Sequence, residues 1–525
     1  MKKEWRLPFS TVTLTAAFAF AFIGCSDSSS GKTREVGIAA MTCTELMYNP
    51  APGYPEFVEL KLTGKSLSSM SAVNLRLDGA VQYSFPDEPL DVDEIIVVTE
   101  DASLFREKYP SFTGRLFQWD AGYKLSNSGD VLEIKLDGKG DFDARFDNNP
   151  PWPSLADGNG SSLVFIGDNP AYAESWAASK TPNGNPGSIE DPYYAASSVR
   201  INEIMPYHGG ESKSWIEFYN AGPAEADIGG WKLIRADVKD SVRYIPAGTK
   251  IAAEGYVVLD SLESESGNLE AVSFVARGEA VYLREVQAGK VTGVESGLEY
   301  AAVLPGHSAG VISLSDETSQ QGMLQKPTKG AANSEISLGP LFISEVFYNP
   351  LDGDVEFLEI VNNSDSSVTL RTMLNTLFDT LFVGWKISGV GFEFGESNVL
   401  LPQEVAVLIP TNYTAADGFS SVPVTVEEFR AKWKLPESLQ IFQYAGKLSN
   451  RGEKISVENP LEIAKNLKDS SVVYYQVSDA ILYSDRGLWP EDADGYGYSL
   501  HRRDYAVSGY EPSNWDAKEP TPGKI

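Results

Sequence analysis

Histidine and cysteine are nearly missing from this chain, and their scarcity closes off most catalytic chemistry. Only His208, His307, His501, Cys25 and Cys43 occur among 525 residues. A hydrolase using a Ser-His-Asp relay or a pair of metal ions needs a base fixed by neighbouring partners, and these histidines stand in unrelated contexts. No G-x-S-x-G, no H-E-x-x-H and no phosphate-cradling glycine loop is present. Positive charge is also short. With 43 Lys and Arg against 73 Asp and Glu, the formal charge is −30, a field that repels phosphate backbones and anionic membrane surfaces. Nucleic acid is not an expected partner. Helical periodicity is almost absent, and after the N-terminus no run reaches the roughly 18 apolar residues needed to span a bilayer.

What is there begins with the N-terminus. "MKKEWR" is a short basic region, and "LPFSTVTLTAAFAFAFIG" is an apolar run of signal-peptide type that stops at Cys25. The tetrad "FIGC" is similar to a bacterial lipobox, which implies cleavage after residue 24 and lipid on Cys25. Residues 1–24 are then a lipoprotein signal peptide, and 25–39, with "SDSSSGKTREVG", a polar tether. The expected address is the bacterial envelope, at the outer membrane or cell surface, with the membrane touched only through the lipid. A lipidated Cys25 leaves Cys43 without a disulfide partner. In "MTCTELMY" it reads as a buried small hydrophobe.

A chain of 525 residues exceeds the roughly 250 to 300 at which single cores stop growing. Its internal repeats show how it divides. "TELMYNPAPGYPEFVELKL" (44–62), "INEIMPYHGGESKSWIEFYN" (201–220) and "ISEVFYNPLDGDVEFLEIVN" (343–362) are three versions of one phrase. In each, an apolar strand with an early Glu is followed by a turn and a second alternating strand. Short apolar strands split by Pro/Gly turns every 8 to 12 residues then follow, the spacing of an antiparallel sandwich. "ASLFREKYP" and "VEEFRAKWKLP" read as short helical turns, and "RTMLNTLFDTLF" (371–382) as an inserted helix or packing loop. "YKLSNSGDVLEI", "FVARGEAVYL" and "GKLSNRGEKISV" read as hairpins carrying a positive-φ glycine.

The order strand-Glu, "NP", "EFVEL", "GW", "LSNxG", "WPxxxDGxGxSL" and a closing "W…TPG" resembles the bacterial branch of the lamin tail domain family. That resemblance implies all-β architecture: three tandem immunoglobulin-like β-sandwiches without a catalytic centre, at 40–190, 198–335 and 340–525. Copy two departs from the pattern. "LPGHSAGVISL" lacks the Trp of the "WP" element and "QKPTKGAAN" is abbreviated, so its last strands are either shortened or differently aligned.

Repeat-equivalent residues are the candidate sites. Trp152, Trp176, Trp231, Trp385, Trp489 and Trp515 fall at motif positions and read as core, against an alternative as sugar-stacking platforms. Glu59, Glu217 and Glu359 sit between apolar neighbours, either on the outer face or accepting a hydrogen bond from a turn amide. In a second reading they join Asp352 and Asp354 in a cation site of calcium type. Asp137, Asp141 and Asp143 form another weak calcium pattern, without the closing Glu of an EF-hand. No metal or cofactor is otherwise implied. The chain reads as a non-catalytic binding, adhesion or scaffold module with an envelope protein or a polysaccharide as partner, and with little interface between its domains.

Overall fold

The computed structural model describes residues 38–524 apart from 66–68, 73–74, 137–138, 168, 171, 190–197, 210–212, 237–241, 317, 352, 376–379, 396–397, 415–420, 451 and 464–471. Cys25, the signal peptide and nearly all of the tether lie outside those residues. The architecture is all-β, with strands gathered around three large hydrophobic cores and smaller clusters beside them.

In the N-terminal unit a six-stranded sheet runs in the order Trp176–Ala178, Leu163–Phe165, Ile38–Met47, Phe57–Lys65, Ile95–Thr99, Arg115–Gln118. It packs on a four-stranded sheet of Lys139–Phe146, Asp130–Leu136, Arg76–Gly79 and Tyr83–Ser84. Alternation decides which residues meet between them: Val58, Leu60 and Leu62 from one sheet join Leu77, Leu132 and Ile134 from the other. The C-terminal unit repeats this order with Trp515–Lys518, Ser499–Arg502, Leu341–Phe347, Phe357–Asn362, Val405–Pro410 and Gln440–Tyr444. In both units the last strand pair is parallel. A parallel pair needs a crossover, and a short helix lies in each: Ala102–Lys108, capped by Asp101, and Val426–Trp433, capped by Thr425 with Glu428 completing a capping box. Each helix lays a buried phenylalanine on the outer face of the first sheet. The ring of Phe105 meets Phe57 at 5.6 Å, and that of Phe429 meets Phe357 at 5.9 Å.

The middle unit is built differently at this point. Its first sheet has five strands, Tyr256–Leu259, Trp215–Asn220, Val199–Met205, Ala309–Ser313 and Ser319–Met323. After Tyr256–Leu259 the chain forms the hairpin Ser261–Glu263/Leu269–Ala271, which joins the opposing sheet. Its two closing strands are fully formed. Without the closing Trp, Gln321 occupies that register position, accepting from the Glu299 amide at 2.8 Å and donating to the Gly297 carbonyl at 3.0 Å.

Three sequence expectations need correcting. The insertion at 371–382 is a β-hairpin, Arg371–Asn375 paired with Thr380–Gly384. Leu374 and Val383 are buried with Ile463, while Met373, Leu381 and Phe382 are exposed. The "LSNxG" stretches are turns entering a strand rather than hairpins between two strands. Their glycines, Gly129 and Gly452, and the equivalent Gly278 have φ of 105, 124 and 104°, and backbone oxygens approach so closely that a Cβ would collide. The third correction concerns interfaces. Each unit bonds to both others. Ser154 donates its hydroxyl to Glu295 at 2.7 Å, and Tyr282 donates to the Asn148 carbonyl at 2.9 Å. The Trp489 indole donates to the Tyr172 hydroxyl at 3.1 Å, and Asn169 to Ser484 at 2.8 Å. Arg277 forms two bonds to Glu462, at 2.9 and 2.7 Å.

The closing tryptophans connect these levels. Trp515 is buried in its core, donates to the Gly509 carbonyl at 2.9 Å, and lies 6.3 Å from the Trp489 ring that reaches the N-terminal unit. Trp515→Ala is expected to destabilise the C-terminal unit by about 3–5 kcal/mol, a large part of the roughly 5–15 kcal/mol that holds a domain folded. Calorimetry of the full chain should show that unit's transition falling steeply, with smaller falls in the two units docked on it. Falls confined to one transition would show that the interfaces carry no stability.

Candidate functional site

The repeated glutamates meet at one place in each unit. The opening strand pair carries a β-bulge at Thr44, Asn202 or Ser344, where the register shifts by one residue. A bulge puts two residues opposite one and re-aims the side chains around it. The result sets Glu45 opposite Glu59, Glu203 opposite Glu217, and Glu345 opposite Glu359. The bulged residue turns its polar group to the second carboxylate. Thr44 donates to Glu59 at 2.6 Å, Asn202 to Glu217 at 2.8 Å, and Ser344 to Glu359 at 2.7 Å.

Like charges directly opposite each other are destabilising, and all six carboxylates are at least 97% buried. Such a pair persists only when its oxygens are satisfied. The closing loop does this. Glu59 accepts from the Gly187 amide at 2.5 Å, Glu217 from the Gly330 amide, and Glu359 from the Gly523 amide at 2.7 Å. The first carboxylates accept from the same loops: Glu45 from the Asn185 amide, Glu203 and Glu345 from the amides of Thr328 and Thr521, each at 3.0 Å. A serine where the next strand begins, Ser162, Ser308 or Ser499, donates its hydroxyl to that same carboxylate. In all three units, then, a carboxylate pair on the outer face of the sheet clasps the segment that ends the unit. The abbreviated "KPTKG" of copy two makes the same closure as its longer counterparts.

Another carboxylate holds the "LSN" turn in two of the units. Glu56 accepts from the Leu125 amide at 2.8 Å, and Glu356 from the Leu448 amide and the Tyr444 hydroxyl, both at 2.6 Å. Burial pushes these acids up, to about 7 for Glu56, about 6 for Glu59, and about 8 for both Glu356 and Glu359; burial also raises Glu217.

Among the described residues, Ser499, His501 and Glu345 form a grouping that superficially resembles a hydrolytic triad. Its geometry forbids the role. The same His501 Nε2 faces both Ser499 Oγ, at 3.0 Å, and Glu345 Oε1, at 3.3 Å. A relay needs opposite nitrogens for base and orienter, and Ser499 is completely buried. His307 holds the Leu324 carbonyl at 2.8 Å, and burial together with His307 lowers His208.

The cation readings find no support in side-chain placement. Asp354 pairs with Lys432, while Asp137 and Asp352 and the side chain of Asp141 lie outside the described residues. Asp143 sits in the strand Lys139–Phe146, opposite Glu133. No cluster of three or more His, Cys, Asp or Glu suited to a metal occurs among the described residues. All six motif tryptophans are buried. Trp152 faces Trp176 and Trp489 faces Trp515, while Trp231 and Trp385 belong to the cores of their units. The first glutamates, the serines and Glu56/Glu356 escaped the sequence reading as site residues. The glutamates' fixed offsets within the repeated strands were the available signal; the serines, 117, 105 and 154 residues from the first glutamates, had none.

The lamin tail domain family matches residues 192–297, which fall in the copy that the motifs marked as divergent. No curated protein matches the chain. Among solved structures, a DUF4876 family protein from Bacteroides thetaiotaomicron aligns at 13% identity and TM-score 0.19, covering 57% of this chain and 90% of that one. A likeness that loose carries no argument here.

The raised carboxyls make stability depend on pH, with a sign that can be worked out. An unfolded Glu titrates near 4.5 and the folded Glu359 near 8, so between those values the folded state binds more protons. Stability then falls as pH rises through that window and levels off above it. The melting temperature should be higher at pH 5.5 than at pH 8.5. Glu359→Gln, which keeps the acceptor oxygen for Gly523 without a titrating proton, should reduce the C-terminal unit's share and leave the part due to Glu356. An equal slope in the variant would show that Glu359 does not titrate in this window.

Proposed function

We propose that the chain is a non-catalytic scaffold or binding module of the bacterial cell envelope, made of three lamin-tail-like sandwiches and held to the membrane by lipid on Cys25. The observation that carries this reading is the use of the repeated polar groups. In every unit the buried carboxylates, the bulge residue and the clasp serine are all engaged in closing the sandwich. Groups fixed in that way position a surface rather than a reaction. The contacts that join each unit to both others support a rigid body with a fixed arrangement of its outer faces. The alternative, capture of polysaccharide, would need an aromatic platform elsewhere, because the six motif tryptophans are buried.

Labelling with an alkyne palmitate analogue tests the anchor: the wild type should be labelled and Cys25→Ala should not, equal labelling of the two ruling out lipid at that position. The tether-free protein should be retained by envelope protein and pass through polysaccharide columns. Retention by polysaccharide alone would favour the glycan reading.

A further inference from the structure

Among the described residues, the outer face of the middle unit's first sheet is apolar and lacks the helix and strand that cover its two counterparts. By register, Met205, Trp215 and Val258 stand where the N-terminal unit has Met47, Phe57 and Val97 and the C-terminal unit has Phe347, Phe357 and Val407. Those six are 0–1% exposed beneath their helices. Trp215, under Lys329, is 8% exposed, but Met205 and Val258 are only half-buried, as are Tyr219 and Tyr256, whose tilted rings lie 4.8 Å apart. The same chain departure that removes the helix removes the parallel strand. Tyr256–Leu259 is therefore a sheet edge, with no strand on its outer side among the described residues.

We propose that this face receives a helix–strand segment of a partner polypeptide: an amphipathic helix with a large apolar side chain over Trp215, running into a strand added in parallel to Tyr256–Leu259. The N-terminal and C-terminal units supply the template, since each fills the equivalent space with a phenylalanine-bearing helix followed by a parallel strand. Helix-in-groove docking and strand addition are both recognised peptide-binding modes, the first supplied by apolar anchors and the second by main-chain hydrogen bonds. Charge points to an acidic helix. Arg200 lies over the Tyr219 ring at 5.1 Å, and its Nε is buried with no hydrogen-bond partner among the described residues. Lys329 lies over the Trp215 ring at 5.5 Å. On a chain of formal charge −30 these two cations border the open face, and a carboxylate on the incoming helix would satisfy the Arg200 donor. Glu217 beneath them is already engaged by Asn202 and Gly330.

The test uses the full chain and a fluorescein-labelled peptide of residues 424–445, the helix and strand that cover the C-terminal unit. Fluorescence anisotropy should show saturable binding with Kd below about 1 mM, weaker than the tethered module because the linked segment works at roughly millimolar effective concentration. Amide exchange at 256–259 should slow on binding. The Y256K/V258K double variant, at half-buried positions where melting should hold, is expected to bind at least tenfold more weakly. A peptide carrying R430E and K432E should bind several-fold tighter than the unmodified one, and R200Q should abolish that gain. Absence of saturable binding, or equal binding by Y256K/V258K with unchanged melting, would overturn the proposal. A charge-reversed peptide whose gain survives R200Q would overturn the carboxylate contact.

Discussion

A pair of buried carboxylates facing each other across two strands is the constraint on which each unit of this protein depends. Two ionisable groups in a protein interior cost several kcal/mol apiece unless their oxygens are satisfied, and nothing within the opening hairpin satisfies them fully. The partners come from residues 113 to 176 positions away, in the loop that closes the unit. The most local piece of structure, a bulged hairpin, is thus incomplete until the last piece arrives. An apolar pair at the same position would bury comfortably against any covering segment. The carboxylates accept only amides presented at the right spacing, and so select one closure. Glu59, Glu217 and Glu359 each meet the amide of a glycine, and at Gly184 of the same loop a Cβ would strike Glu45 and the Phe57 ring.

Burial and satisfaction act in opposite directions on these groups. Backbone amides and hydroxyls favour the ionised carboxylate, while removal from water favours the protonated one. Burial is the largest cause at Glu59, Glu217 and Glu359, and it prevails at all three. Either protonation state can be accommodated by hydroxyl partners such as Thr44 and Ser344, which donate to a charged oxygen and can turn to accept from a neutral one.

Much of this was legible in the sequence because repetition substitutes for depth. The tripled strand phrase located the opening hairpins, and the recurring "WP" and closing Trp located the core pairs of two units. The short runs around Phe105 and Phe429 located both helices. What escaped reading depended on contacts distant in sequence. Copy two seemed incomplete because its missing Trp was conspicuous, whereas its clasp resides in Ser308, Thr328 and Gly330, which are unremarkable as letters. The insertion at 371–382 is an apolar run without two-residue alternation, which suits a helix as well as a strand. The polar bonds between units, such as Tyr282 to Asn148 or Asn169 to Ser484, leave no periodic trace at all.

The middle unit draws these threads together. Its departure from the pattern lies in one connection, where the chain leaves Leu259 for the opposing sheet instead of folding back as helix and strand. The clasp is unaffected: Glu217, although paired across the strands with Val258 on this same face, keeps its bonds to Asn202 and to the Gly330 amide of the closing loop. Core closure is likewise preserved, with Gln321 taking main-chain bonds where a Trp packs in the other units. Had the uncovered face merely become solvent-facing, polar side chains would suffice on it, as on the outer side of most antiparallel sheets. Instead Met205, Tyr219, Tyr256 and Val258 keep it apolar while staying partly open to water, beside a buried Trp215. Exposed edge strands are ordinarily blunted by charge, proline or a bulge, and Tyr256–Leu259, "YVVL", carries none of these within the strand. A face that is apolar, uncovered and bordered by an unblunted edge retains features that folding of this unit alone does not require.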